Sequence, residues 1–189
     1  MIVLYLDDHI NELDLEAALE AVGPERREYA LRYRQEQDRR QCLAAYLLLQ
    51  RALLLEYGIQ QVPPFIYGPN GKPAFDGYPD IHFNLSHCSE AVACVIAPHP
   101  VGVDVECIDK YDKELAQHTM NDEEYSEILS SPQPEITFTK FWTMKESLLK
   151  LTGEGISKDI RMLLSDAERY RFHTVDLGRY ICTVSENSV

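Results

Sequence analysis

Asp104 and Glu106 alternate with Val101, Val103 and Val105 in the run Val101-Gly-Val-Asp-Val-Glu106. Further along, Phe138-Thr-Lys-Phe-Trp-Thr-Met-Lys-Glu-Ser-Leu-Leu-Lys150 sets Glu146 and Lys150 one helical turn apart. Period-two spacing puts Asp104 and Glu106 on one face of a strand and the valines on the other. Carboxylates from two separate elements, with a lysine beside them, suit a divalent metal gripping a phosphate. Hard oxygen donors favour Mg²⁺, which commonly takes one or two carboxylates together with substrate phosphates. Gly102 shares the carboxylate face and, having no side chain, is expected to leave room for a ligand. The plain alternative is the solvent face of an edge strand; the unbroken β-branched character of the valines argues for burial instead.

Each helical residue advances by about 100°. Met144, Leu148 and Leu149 therefore gather beside Phe141, while Thr143, Glu146 and Lys150 gather elsewhere on the helix. Taken alone, Glu146 and Lys150 read as a solvated i,i+4 ion pair. Lys145 shifts the balance, because it falls near the middle of the apolar sector, where a bare ammonium is costly to desolvate without an anion. A bound phosphate would supply that anion; snorkelling of the lysine stem is the alternative. In Asn84-Leu-Ser-His87, Ser86 and His87 end a strand where side chains can turn into a cleft. On its own His87 more often reads as a structural histidine. As a nucleophilic pair the two lack a Gly-x-Ser-x-Gly elbow.

The elements that must position these residues follow from pattern and punctuation. Met1 to Asp8 reads as a first strand, and Asn11 to Asp14 caps a short helix through Ala21 that ends at Gly23-Pro24. Glu36 to Tyr57 is a long helix closed by Gly58. Val62 to Pro73 is a turn-rich loop. Ile81 to Ser86 alternates, with Ile81, Phe83 and Leu85 inward and His82, Asn84 and Ser86 opposite. Ala91 to Ala97 and Val101 to Cys107 are two more strands. The chain is then mostly helical to Leu151, Gly153-Glu-Gly155 breaks the pattern, and Tyr170 to Asp176 with Arg179 to Ser185 forms a closing hairpin around Leu177-Gly178. The halves echo each other, down to the helix ends Leu54-Leu-Glu-Tyr-Gly-Ile59 and Leu149-Lys-Leu-Thr-Gly-Glu-Gly-Ile156. This predicts an α+β fold of two similar, pseudo-repeated halves related by a pseudo-two-fold, residues 1–100 and 101–189, with the active site in the cleft between them.

Composition bounds the partners. At 189 residues with 45% apolar content, the chain can bury a proper core. No apolar stretch reaches the roughly 20 residues that span a bilayer, and the N-terminus lacks the basic region of a signal peptide. Five scattered cysteines, without metal spacing, indicate reduced thiols and a cytoplasmic protein. The formal charge of −13 disfavours nucleic acid as a partner. Seven arginines nonetheless fall between Pro24 and Arg51, a local basic segment suited to an anionic ligand.

Together these pieces resemble the Sfp-type 4′-phosphopantetheinyl transferases. The segments that carry the resemblance stand in family order: Gly71-Lys-Pro73, Phe83-Asn-Leu-Ser-His87, Gly102-Val-Asp-Val-Glu106, Glu124-Tyr-Ser126 and Trp142 to Lys150, followed by Gly153-Glu-Gly155. The resemblance implies a monomeric, Mg²⁺-dependent transferase. It would move the phosphopantetheine arm of coenzyme A onto a serine of an apo acyl or peptidyl carrier protein, releasing 3′,5′-adenosine bisphosphate. By the same resemblance Asp104, Glu106 and Glu146 hold Mg²⁺ against the pyrophosphate, and Lys150 balances phosphate charge or protonates the leaving group. Lys72, Ser86 and His87 contact the nucleotide, with His87 near its 3′-phosphate, and Lys145 joins the phosphate contacts. Phosphoryl transfer needs in-line positioning and charge neutralisation more than covalent chemistry. Glu146 is the first choice to take the serine proton and Glu124 the second.

The chain departs from the family pattern in places. Gln41 stands where an arginine usually meets coenzyme A. Arg40, one residue earlier, is the expected substitute, and Arg26 keeps a basic match. Tyr29 stands where a lysine can occur, and the chain is short after Gly155. Two other readings compete: a protein that binds coenzyme A or a carrier without transfer, and a magnesium-dependent phosphohydrolase.

Overall fold

A computed structural model of the chain describes residues 1–109, 111–154 and 159–188. Strand β1 (Val3–Asp7) leads through a 3₁₀ turn to helices α1 (Leu15–Ala21), α2 (Pro24–Leu31) and α3 (Glu36–Tyr57). A small hairpin follows, β2 (Phe65–Tyr67) with β3 (Pro73–Phe75), and then β4 (His82–His87), β5 (Val92–Ala97) and β6 (Val101–Cys107). Helices α4 (Lys113–Thr119), α5 (Asp122–Ser130) and α6 (Pro134–Thr152) precede the closing hairpin β7 (Tyr170–Asp176) and β8 (Tyr180–Asn187). Asp14 caps α1 as its sequence position indicates, accepting from the Glu16 and Ala17 amides. Gly58 and Gly153 end the two long helices in the left-handed conformation, at φ 68° and 67°. Of the second-half signals, Gly155 and Ile156 lie outside the described residues.

The fold is α+β, built on two three-stranded antiparallel sheets ordered β1-β5-β4 and β6-β8-β7. Strand β5 is buried along its whole length because each of its faces meets a different core. Val92, Cys94 and Ile96 pack under α3 with Leu49 and Leu53. Ala93, Val95 and Ala97 pack against Val101, Val103, Val105 and Val184 of the second sheet. The valines of β6 thus face the first sheet, and Gly102, Asp104 and Glu106 face α6. The first sheet is covered on one side by α3, and β6 and β8 are covered by α6.

On the face of β4 opposite Phe83, Asn84 and Ser86 are buried, and their oxygens accept from the Val103 amide (2.9 Å) and the Val105 amide (3.3 Å). Strand β6 is an edge strand, so its outward N–H groups need partners from outside their own sheet. Gly102, read as space for a ligand, instead admits the α6 backbone. A Cβ there would lie 2.0 Å from the Ser147 carbonyl oxygen and 2.6 Å from the Leu151 nitrogen. Within Val62 to Pro73, the β2–β3 pair also goes beyond the expected loop.

Gly102→Ala must push α6 away from β6, since both clashing atoms are backbone. We expect a loss of about 2–3 kcal/mol, the upper range for overpacking, read as a lower urea midpoint with an unchanged slope.

Candidate functional site

Asp104 lies at the centre of the assembled side chains. The residue is only 2% exposed. One oxygen, Oδ1, accepts from Lys150 Nζ at 2.6 Å and from Ser86 Oγ at 2.9 Å. Lys150 Nζ also donates to Ser86 Oγ at 2.8 Å, closing a triangle across β4, β6 and α6. The other oxygen, Oδ2, is buried and has no hydrogen-bond partner among the described residues. An orphaned carboxylate oxygen beside further acids marks a place short of positive charge.

Two carboxylates share that shortage. Burial first, then the charge of Asp104, pushes Glu106 up to about 7, against a hydrogen bond from Trp142 Nε1 at 3.4 Å. Glu146 is also raised, by burial and then Asp104, while Lys150 opposes the shift. Asp104 thus lies near enough to raise both other expected metal ligands, and Lys150, bound to Asp104, opposes both shifts. The three acids are not drawn into a closed cage: among the described residues no group of three or more His, Cys, Asp or Glu side chains stands ready to hold a metal ion. The donor chemistry still fits a hard divalent cation, which fills its remaining positions with water and phosphate oxygens.

Cavities run outward from this centre. One of about 260 Å³ is lined by Asn70, Gly71, Lys72, Asn84, Glu146 and Lys150. Another of about 300 Å³, meeting the first at Leu85, is lined by Arg26, Tyr29, Asp38, Gln41 and His87. Lys72 reaches the Leu151 carbonyl at 2.9 Å and the Val101 carbonyl at 3.2 Å, and burial pushes its ammonium down. His87 is lowered by burial and then by Lys150. Arg26 stacks between Tyr29 and Tyr46, with centroids at 5.0 and 4.7 Å, and donates to the Cys42 carbonyl. A larger cavity of about 600 Å³, lined by Ile66, His82, Phe83 and Leu151, also borders Lys72 but holds neither Glu146 nor Lys150.

Two expected contacts require correction. Lys145 is fully buried, and its anion is Glu124 at 2.8 Å, not a phosphate. Its remaining donors reach the Ile160 and Arg161 carbonyls at 2.9 and 3.2 Å, so none is left for a ligand. Glu124 Oε2 is occupied in turn, since it also accepts from the Asn121 amide to close a capping box on α5, while Oε1 is buried without a hydrogen-bond partner among the described residues. Arg40 does not replace an arginine at position 41. One helical step turns it toward the Leu13 carbonyl and Glu36, while Gln41 borders the His87 cavity and donates to the Cys88 carbonyl at 2.9 Å. Sequence reasoning passed over Asn84, whose position on the Ser86 face was its only signal, and the aromatic stack of Phe138 on Trp142 behind Glu106.

Glu146, Lys150 and Lys72 line one cavity, a set of side chains whose chemistry is compatible with a cation and a phosphate. Comparison with known proteins makes the class specific. A family model described as the 4′-phosphopantetheinyl transferase superfamily matches residues 100–187. The chain is 30% identical over 157 residues to 4′-phosphopantetheinyl transferase Sfp of Bacillus subtilis, covering 82% of this chain and 70% of that protein. It is 35% identical over 156 residues to 4′-phosphopantetheinyl transferase psf-1 of Bacillus pumilus, covering 80% and 66%. With 4′-phosphopantetheinyl transferase gsp of Aneurinibacillus migulanus it shares 34% over 139 residues, covering 71% and 57%. The chain belongs to the 4′-phosphopantetheinyl transferase family.

Two outcomes test this geometry. Lys145→Met leaves the Glu124 carboxylate buried without its cation and is expected to cost about 3–5 kcal/mol; adding Glu124→Gln, which keeps the cap, recovers much of that loss in chemical denaturation. The second concerns Glu106 in protein kept free of divalent ions. Its folded pKa, about 7, lies above the ordinary 4.5, so its contribution is fully present below the ordinary value and is lost as pH rises through about 7. Between pH 5 and 8 the wild type should lose on the order of 1–2 kcal/mol that Glu106→Gln does not lose.

Proposed function

We propose that this protein transfers the 4′-phosphopantetheine arm of coenzyme A to a serine of an apo acyl or peptidyl carrier protein, with Mg²⁺, and releases 3′,5′-adenosine bisphosphate. The observation that carries the reading is Asp104: a buried carboxylate with one oxygen held by Ser86 and Lys150 and the other unpartnered, in a chain of this family. Asp104, Glu106 and Glu146 would hold the metal, whose positive charge would offset that of the pyrophosphate. Lys150 keeps an ammonium at the same place and neutralises charge as the bridging bond breaks. The half-buried Glu146, raised by burial and then by Asp104, takes the proton of the incoming serine hydroxyl. Glu124 is committed to Lys145 and to its helix cap, which favours Glu146 for this role.

Lys72 and His87 border the cavities on either side of Leu85 and contact the nucleotide part of coenzyme A, with Arg26 at the far end. Ser86 acts by orienting Asp104 and Lys150. The same reading takes residues 1–100 and 101–189 as two halves related by a pseudo-two-fold, with the cleft between them. In support, each half sets one long glycine-ended helix, α3 or α6, on a three-stranded antiparallel sheet. Among the described residues no helix is long and apolar enough to cross a membrane, and the reading places the protein in the cytoplasm as a monomer.

Incubation with coenzyme A, Mg²⁺ and an apo carrier should add the mass of one phosphopantetheine arm to the carrier, and EDTA should stop it. Glu146→Ala should fold normally and transfer at least about a hundredfold more slowly, within the range for loss of general-base catalysis. Coenzyme A binding with no mass gain across a panel of carriers would leave a binding protein, and phosphate release without any carrier would leave a phosphohydrolase.

A further inference from the structure

The contacts between β4 and β6 run in steps of two residues along both strands. Asn84 Oδ1 accepts from the Val103 amide at 2.9 Å, and Ser86 Oγ accepts from the Val105 amide at 3.3 Å. One more step along both chains arrives at Cys88, just past the end of β4, and Cys107, the last residue of β6. Both are free thiols. Cys88 is buried in the core between the sheets, and Cys107 packs against that same core. The two side chains interact: burial first, and then the neighbouring Cys107 sulfur, push the Cys88 thiol up to about 12. A disulfide needs Cα atoms usually about 4.4–6.8 Å apart, and the two side-chain-to-backbone hydrogen bonds that precede this step hold the strands close together.

We propose that Cys88 and Cys107 form an oxidisable dithiol, a modification site that an oxidant of the peroxide class closes to a disulfide. Cys107 is the entry point. It is half-buried, and its sulfur lies 3.1 Å from the hydroxyl of exposed Ser89. Its sulfur attacks the peroxide O–O bond and becomes a sulfenic acid, with release of water when the oxidant is hydrogen peroxide. The Cys88 sulfur then attacks the sulfenic sulfur, an S–S bond forms, and the hydroxyl leaves as a second water carrying the Cys88 proton. Two thiols lose two electrons in total, and the peroxide takes them up. Cys88, walled in by the core, is the resolving partner and is shielded from the oxidant itself. The cross-link falls one residue beyond His87 and one beyond Glu106, so it ties together the two strand ends that carry those side chains. The proposal stands on strand geometry and is independent of the transfer activity.

The test uses the full chain, fully reduced, exposed to hydrogen peroxide, then alkylated and mapped by mass spectrometry without reduction. Of the five cysteines, Cys88 and Cys107 are expected in one linked peptide, with Cys42, Cys94 and Cys182 still alkylated after unfolding. Dithiothreitol should restore all five thiols. Cys107→Ser, a change at the more accessible thiol, should keep the wild-type melting temperature and lose Cys88 thiol at least about tenfold more slowly, since no neighbouring sulfenic acid then forms. Sulfenic or sulfinic acid accumulating on Cys107 of the wild type without the link would overturn the proposal, as would a link joining either residue to another cysteine.

Discussion

The outward edge of β6 is the constraint on which the rest of this molecule depends. The strand pairs with β8 on one side only, so its other N–H groups would be buried without partners. Asn84 and Ser86 supply those partners from a different sheet. Side chains, rather than a backbone ladder, therefore join the two sheets at this line, and an unmet buried donor costs on the order of 1–3 kcal/mol. The arrangement fixes Ser86 beside Asp104 and sets their hydroxyl and carboxylate 2.9 Å apart. Gly102 does the matching work on the opposite face, letting α6 approach closely enough for Lys150 to reach both groups. Backbone packing and polar satisfaction together set the position of the charged centre.

Helix α6 carries two lysines that meet carboxylates in opposite ways. Lys145 is sealed with Glu124 and two carbonyls, so all its donors are used. That pair ties α5 and the Ile160–Met162 turn to α6 and has no donor to offer a ligand. Lys150 is 30% exposed at its side chain while its partner Asp104 is almost wholly buried. Such an ion pair presents its cation to a cleft and keeps its anion inside. Burial, and then Asp104, raises Glu106 and Glu146, so three carboxyl groups crowd a place where Lys150 is the partner ammonium of Asp104.

Much of this was legible in the sequence, because it follows from local periodicity. Alternation placed the valines of β6 on one face and Asp104 with Glu106 on the other, and glycine marked the ends of both long helices. The desolvation argument for Lys145 was sound: a buried ammonium did require an anion. Its identity was not legible, because Glu124 comes from another helix and only the fold brings it within 2.8 Å. Arg40 and Gln41 illustrate the same limit. A one-residue shift looks conservative along the chain, yet on a helix it rotates the side chain by about 100° and sends the guanidinium to Leu13. Gly102 misled in a related way, since a missing side chain signals close approach without naming what approaches.

The balance of charge also bears on what can enter the cleft. A chain of net charge −13 repels a polyanion at long range, and the excess of acids around Asp104 adds to that at short range. Among the described residues lining the cavity that holds Glu146, the cations an isolated pyrophosphate would meet are Lys150 and a partly desolvated Lys72, whose ammonium is already turned to two carbonyls. Under the proposed function, a divalent cation would therefore decide whether the anionic donor binds at all, before it stabilises any developing charge. The orphaned Oδ2 of Asp104 has the same cause as this dependence on a cation. Both follow from setting a carboxylate against a buried strand edge where the protein supplies one ammonium for three acids.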